Sequence, residues 1–238
     1  MKPNSKRFIE AFNQIDYSLR THYNIKRSLS FSDMVRKSTS FSSIIRKFEE
    51  DLIDYSRLRN AIIHNSNDEI TIAEPHDEVT DKIERIAKII STPPTVLDTV
   101  CKKGVLAVDY NVKVIEVIKL IAKSGFSNIP VYKNSCLIGV ANGQKILNEL
   151  GIALEQKNDL TNFITSKTIE EIIKPTEFQS YYALADAKLT IEEALNMFYS
   201  NRKLLVILVS RTGDMQEPTI GIVTASDIMD MNTILDSY

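Results

Sequence analysis

Tryptophan is absent, cysteine occurs twice, and the seven glycines all lie at or beyond Gly104 in a chain of 238 residues. Each scarcity excludes something. Cys101 and Cys136 lie in or beside apolar runs, with no Cys-x-x-Cys spacing and no nearby histidine ligands. That pattern argues against a disulfide framework or a cysteine-rich metal site, and both residues read as buried, reduced thiols. No uncharged apolar run approaches the ~20 residues of a membrane span. Neither sign of charge dominates: 29 Lys and Arg face 31 Asp and Glu, for a formal net charge of -2. No bulk positive field therefore draws the chain to nucleic acid or anionic lipid, although a local basic patch remains compatible with these totals. The polar stretch Met1 to Glu10 lacks the apolar core of a secretory signal, so the expected location is the cytoplasm and no membrane is an expected partner.

The glycine-free part has the periodicity of helices. Phe8, Ile9, Phe12, Ile15 and Leu19 fall at helical spacings. So do Ile44, Ile45, Phe48, Leu52, Ile53 and Tyr55, and then Val79, Ile83, Ile86, Ala87 and Ile90. The spacing predicts three long helices and a short fourth near Ser32 to Lys37, joined by loops of Ser, Asn and Asp at Ser28 to Ser32 and Asn65 to Glu69. Pro93-Pro94 cannot continue a helix and marks a boundary. The expected fold class is α+β, with an all-α bundle over residues 1–91 followed by a β/α region over 92–238.

Beyond the prolines, β-branched runs alternate with helical patterns, and the region repeats itself. Val112 to Leu120 matches Leu189 to Met197, and Ile129 to Tyr132 matches Val206 to Val209, each 77 positions later. Leu137 to Val140 then matches Thr219 to Ile222, 82 positions later. The five extra residues fall in the turn Arg211 to Pro218, where an insertion costs least. Each copy reads as strand, helix, strand, hairpin, strand, helix, with the first at about 92–155 and the second at about 166–238. Two copies packed together would bury a face that one leaves open, with clefts between them.

The chemistry of the second copy lies at its last strand-to-helix turn. In Gly221-Ile222-Val223-Thr224-Ala225-Ser226-Asp227, Thr-x-x-Asp is a capping box, and a helix start is also an anion site. The element order, the repeat length and this run resemble a tandem CBS domain pair. The resemblance implies one adenine nucleotide as a regulatory ligand, whether AMP, ADP, ATP or a cyclic dinucleotide. Thr224 would face phosphate, Asp227 would accept the ribose hydroxyls, backbone near Tyr182 and Ala183 would meet the adenine edge, and Ser226 would belong to the same ligand site. Tyr182 also fits the pattern of a plain core aromatic. In the first copy Lys145 stands where the second has Asp227, and an ammonium cannot accept hydrogen bonds from ribose. That half-site is either empty or turned toward a phosphate, which favours one occupied site over two.

One motif stands out in the helical region. Arg57-Leu58-Arg59-Asn60-Ala61-Ile62-Ile63-His64-Asn65 closes the second long helix, where cations ordinarily suit the dipole and Asn65 suits the position after the last turn. Arg59, Asn60 and His64 at this place in a small helical domain resemble the HEPN family. The resemblance implies a homodimer in which paired motifs cut single-stranded RNA without a metal. His64 would transfer protons, Arg59 would hold the scissile phosphate and Asn60 would orient one of them. Glu49, Glu50, Asp51 and Asp54 read as the solvated face of this helix. The basic stretch Tyr23 to Lys37, with Lys26, Arg27, Arg36 and Lys37, fits contact with RNA phosphates, but a plain solvated segment is the commoner explanation of such a run. The combined expectation is a nucleotide-sensing module that regulates a dimeric, possible ribonuclease. The alternative is a non-enzymatic sensor whose helical part dimerises or recruits a partner.

Overall fold

The computed structural model describes residues 2–22, 28–64, 73–102, 104–173 and 181–237, with the backbone alone for His64. Lys26, Arg27 and the expected loop Asn65 to Glu69 lie outside the described residues. The chain forms two compact units, one of Met1–Pro94 with Leu235–Tyr238 and one of Thr95–Ile234. No described helix is long and apolar enough to cross a membrane.

The first unit contains α1 (Asn4–His22), α2 (Phe31–Ser38), α3 (Ser43–Lys47), α4 (Glu49–His64) and α5 (Asp77–Ser91). The long helices α1, α4 and α5 and the short α2 match the apolar spacings. Phe8, Phe12, Ile15 and Leu19 of α1 are buried, as are Leu52, Tyr55, Ile83, Ile86 and Ala87. Ile89 is deeper than Ile90, and Ile9, Ile53 and Val79 are half-buried at the edges of their stripes. The apolar series that begins at Ile44 is not one helix. Ser42 caps α3 by accepting from the Ile45 N–H, and Phe48 leaves helical geometry at φ -109°, ψ 16°. Glu49, Glu50 and Asp51 then open α4 as an acidic first turn, which the positive end of the helix dipole favours. Two of the carboxylates expected on a solvated face are paired: Asp51 with Lys82 of α5 at 2.6 Å and Asp54 with Arg57 at 2.7 Å. Arg7 clamps α1 to α5, with Nε and Nη2 donating to Glu84 at 3.0 and 2.7 Å and Nη2 also reaching Asp81.

The second unit contains two three-stranded sheets built alike. In the first, β1 (Val108–Asp109) runs parallel to β2 (Asn128–Lys133), and β2 pairs antiparallel with β3 (Cys136–Asn142). In the second, β4 (Tyr182–Ala185) runs parallel to β5 (Val206–Val209), and β5 pairs antiparallel with β6 (Gly221–Thr224). The crossover helices are α6 (Val114–Ser124) and α10 (Ile191–Ser200). The closing helices are α7 (Gly143–Glu155) and α11 (Ile228–Asp236), the latter entered through a 3-10 turn at Ala225–Asp227. The repeat read from the sequence is thus a repeat of architecture. Asn134 and Ser135 turn the first hairpin at φ 51° and 64°, the left-handed pair that matches strand twist. Between the copies lie two short helices the periodicity did not reveal, α8 (Leu160–Ser166) and α9 (Ile169–Ile172).

The copies exchange their leading segments. Thr95 bridges Thr190 and Lys102 bridges Ile222, so the segment before β1 lies on the second copy. Reciprocally, Lys113 bridges Thr168, and Ile169, Ile172 and Ile173 fill the first copy's core around Val114, Val117, Ile129 and Val131. In chain order 92–155 and 166–238 are the repeats, but in space each begins inside the other. Gly221 shows how close this contact is. A Cβ there would collide with Cys101 Sγ and stand 2.8 Å from Leu97 Cδ2. Glycine is needed at this position for space, not for backbone freedom.

A second core joins the sheets: Leu137 and Val140 of β3 pack with Tyr181, Tyr182, Val206 and Leu208. The longer turn Arg211 to Pro218 contributes here as well. Leu137 N–H donates to the Met215 carbonyl at 2.8 Å, and Tyr132 hydroxyl accepts from the Thr219 N–H at 2.8 Å. The insertion tolerated by the repeat thereby became a clasp over the first hairpin.

Candidate functional site

A cavity of about 420 Å³ opens where the strand-to-helix turns of both copies meet. The first copy contributes Gly125 to Asn128, between α6 and β2, together with Asn142 and Gln144 at the start of α7. The second contributes Leu205, Ile222 and Thr224 to Ser226. The third wall is the exchanged segment, Lys102 and Gly104 to Leu106. Local sequence explains each wall. Gly125 ends α6 in the left-handed region at φ 74°, which turns the chain sharply into Phe126 and Ser127. Asn142 caps α7, its Oδ1 accepting from the Lys145 N–H at 3.1 Å while its Nδ2 donates to Asn128 Oδ1 at 2.8 Å. The Gly143 N–H donates to the Ser127 carbonyl at 2.9 Å, which fastens the loop to the helix start.

The second-copy wall is held by its capping box. Asp227, 7% exposed, accepts through Oδ2 from the Thr224 N–H at 2.7 Å and from the Thr224 hydroxyl at 2.8 Å. Its other oxygen faces Lys102 Nζ at 3.9 Å. Leu106, Phe126 and Leu205 are large apolar side chains each more than one-third exposed, and all three line this cavity. A pocket with apolar walls and a few convergent polar groups is the usual form of a small-molecule site.

Of the residues read from the sequence, Thr224 and Ser226 line this cavity. Asp227 stands behind the turn and is engaged by Thr224; it is not among the described lining residues. Tyr182 and Ala183 are not there either. Tyr182 lies in the core between the sheets, where burial pushes its hydroxyl pKa well above the usual tyrosine range. Ala183 lies on the edge strand β4 and pairs with Ile207 of β5. The third wall of this cavity is Lys102 and Gly104 to Leu106, brought there by the exchange of the leading segments. Lys145 is not among the described lining residues, and its ammonium stands 4.2 Å from the centroid of the Tyr181 ring. Tyr181 in turn donates to the Val140 carbonyl at 2.7 Å.

The sequence reading missed Lys102, Val105, Leu106, Phe126 and Gln144. The available signal was the first copy's own leading segment, a lysine followed two residues on by Gly-Val-Leu, placed by the repeat opposite the segment that enters β4.

In the helical unit, Arg59 and Asn60 are in contact, Arg59 Nη1 donating to Asn60 Oδ1 at 3.2 Å. The Arg59 guanidinium also stands 5.9 Å from the Phe12 ring. Both residues line a shallow hollow of about 410 Å³ together with Asn13, Asp16, Arg20, Ser30 and Ser32. His64 is the last residue of α4.

Cys101 and Cys136 are not joined in a disulfide. Among the described residues no group of three His, Cys, Asp or Glu side chains is arranged for a metal ion.

The chain matches no family model and no curated protein. It is similar to several solved structures. The CBS domain of a bacterial CNNM/CorC family Mg2+ transporter, in complex with ATP, is 18% identical, covers 64% of this chain and 97% of its own, and has a TM-score of 0.45. A CBS domain-containing protein of unknown function from Bacillus anthracis str. Ames Ancestor is also 18% identical, covers 60% and 95%, and has a TM-score of 0.47. A signal-transduction protein with CBS domains from Burkholderia ambifaria MC40-6 is 18% identical, covers 57% and 87%, and has a TM-score of 0.42.

Proposed function

We propose that the second unit is a tandem CBS pair that binds one adenine nucleotide and thereby regulates the helical unit. The observation that carries this reading is the two-walled cavity. Leu106, Phe126, Leu205 and Ile222 offer apolar surface for a planar base. Thr224 and Ser226 bring a helix start with its positive dipole end, and Lys102 adds a cation. Its volume, about 420 Å³, lies in the range of ordinary small-ligand pockets, about 300–1,000 Å³. An apolar slot next to an anion-binding turn is the chemistry of a phosphorylated nucleoside. A single site is supported by Lys145, whose ammonium lies against the Tyr181 ring where the second copy has Asp227. The test is calorimetry of the whole protein against adenosine, AMP, ADP, ATP and cyclic dinucleotides. Saturable binding of one equivalent supports the reading, and no binding by any of them removes it.

The contact between Arg59 and Asn60 in a hollow that also holds Arg20, Ser30 and Ser32 favours a role for the helical unit beyond bundling. Such a hollow suits a phosphate, and the motif resembles HEPN. In this reading the unit is an HEPN-like homodimer and a metal-independent endoribonuclease of the cytoplasm. The test is cleavage of single-stranded RNA in EDTA, with and without each nucleotide. RNA left intact under every condition assigns the helical unit to dimerisation or partner recruitment.

A further inference from the structure

The two capping turns related by the repeat differ in the side chain that the exchanged segment brings to each. Asp227 and Lys145 are equivalent positions, each three residues beyond its cap residue, Thr224 and Asn142. Opposite Asp227 stands Lys102, carried in from the first copy. Opposite Lys145 stands Tyr181, carried in from the second. Only the first arrangement pairs a buried carboxylate with a lysine at the edge of an open cavity.

The backbone of Lys102 is fixed while its head is not. Its N–H donates to the Ile222 carbonyl at 3.2 Å, and its carbonyl accepts from the Ile222 N–H at 3.4 Å, two residues from Thr224. Its side chain is 54% exposed, and its ammonium stands 3.9 Å from Asp227 Oδ1, beyond hydrogen-bond reach. The oxygen it does not face is already taken by two Thr224 donors. The lysine is thus held near the capping turn by a loose ion pair, and the pair gives way at little cost to a stronger charge-assisted bond.

We infer that Lys102 is the residue by which this cleft reads the charge of its ligand, distinguishing a phosphorylated nucleoside from the bare nucleoside. This rests on the proposed nucleotide reading of the same cavity. On binding, the ammonium turns from Asp227 to the phosphate at the Thr224 to Ser226 turn. The nucleoside makes no such contact, so Lys102 contributes to the phosphate and not to the base or ribose. The link between copies lies in that exchange. A residue anchored in the first copy's segment leaves the second copy's Asp227 when the anion arrives.

The experiment is calorimetry of the full chain with adenosine, AMP and ADP as probes, comparing wild type, Lys102→Met and Lys102→Arg. Lys102→Met should weaken AMP and ADP by at least about tenfold, the effect of one hydrogen bond to a charged group, and leave adenosine within about twofold. Lys102→Arg should restore most of the loss. The exposed side chain makes no contact on which the sheet depends, and circular dichroism checks that the variants fold. Equal weakening of adenosine and AMP would make Lys102 a structural residue, and an unchanged ratio would remove it from the site; either overturns the inference while nucleotide binding stands. A wild type that binds none of the three overturns both.

Discussion

The contact between Gly221 and Cys101 gives the exchanged segment a measurable energy. In Gly221→Ala the new methyl overlaps Cys101 Sγ and lies 2.8 Å from Leu97 Cδ2. The leucine methyl is the end of a flexible side chain and can rotate aside. Cys101 cannot follow easily, because its N–H is bonded to the Val96 carbonyl at 2.8 Å and the next residue bridges Ile222. Overpacking of this kind costs about 1–3 kcal/mol, and rigid neighbours on both sides put the expectation near 2–3. Cys101→Ala removes one buried heavy atom and should cost about 1 kcal/mol. In the double variant the new methyl meets the Cβ of residue 101 at 3.6 Å, an ordinary contact, and the one close neighbour left is the Leu97 methyl, which can rotate aside. The two changes together should therefore cost scarcely more than Cys101→Ala alone, a coupling of about 2 kcal/mol. Urea denaturation of the four proteins, followed by a probe of the repeat unit, gives the cycle. Thermal midpoints should move in parallel by about 2–4 °C per kcal/mol. Additive costs would show that the sulfur does not occupy the space in front of Gly221, and with that the description of the exchange would fail. Because Lys102 follows Cys101, Gly221→Ala alone should also weaken ligand binding, and the double variant should recover it.

Three further outcomes are expected. Asp227→Ala should reduce AMP affinity by about 1.5–3 kcal/mol, since Thr224 loses its anchor, whereas Lys145→Ala should change it little; equal losses in calorimetry would contradict a single site. His64→Ala should lower RNA cleavage by about 10²–10⁴ with fold and dimer intact by sedimentation, and Arg59→Lys should be severely impaired because an ammonium lacks the planar fork. Cleavage that survives His64→Ala would refute the nuclease assignment. Burial, reinforced by Asp51, pushes the Tyr55 hydroxyl from 10.0 up to about 12. The folded state thus holds this proton more tightly, so its stability contribution is full below pH 10 and is lost as pH rises toward 12. Tyr55→Phe should flatten the fall in unfolding free energy across that window, and an unchanged slope would contradict the assignment.

The fold was readable wherever burial imposes a period. The double set of β-branched strands around Val131 and Leu208 could be aligned by eye, because both are fully buried and tolerate few residue types. The break at Phe48 was hidden, since Ile44, Ile45, Phe48 and Leu52 keep helical spacing across it; Ser42 and the acidic triplet Glu49 to Asp51 were the only marks. At the site, Thr224 and Ser226 were readable from a motif of local chemistry. Lys102 and Phe126 were not, because the cavity forms from segments 120 and 96 residues from Ile222, and local patterns do not record which strand a leading segment will cross.

That separation has a consequence for synthesis. The segment Thr95 to Lys102 is made before both of its resting places, Leu189 and Thr190 at one end and Ile222 of β6, 120 residues on, at the other. At cellular elongation rates of about 5–20 residues per second, that delay is roughly 6 to 24 s. During it Val96 and Cys101, both buried in the finished unit, have no strand to cover them, while the first sheet can already pair. The nascent chain must keep one apolar flap open until its last strand emerges, so this interval exposes the chain to chaperones, proteases and premature pairing with a neighbouring copy.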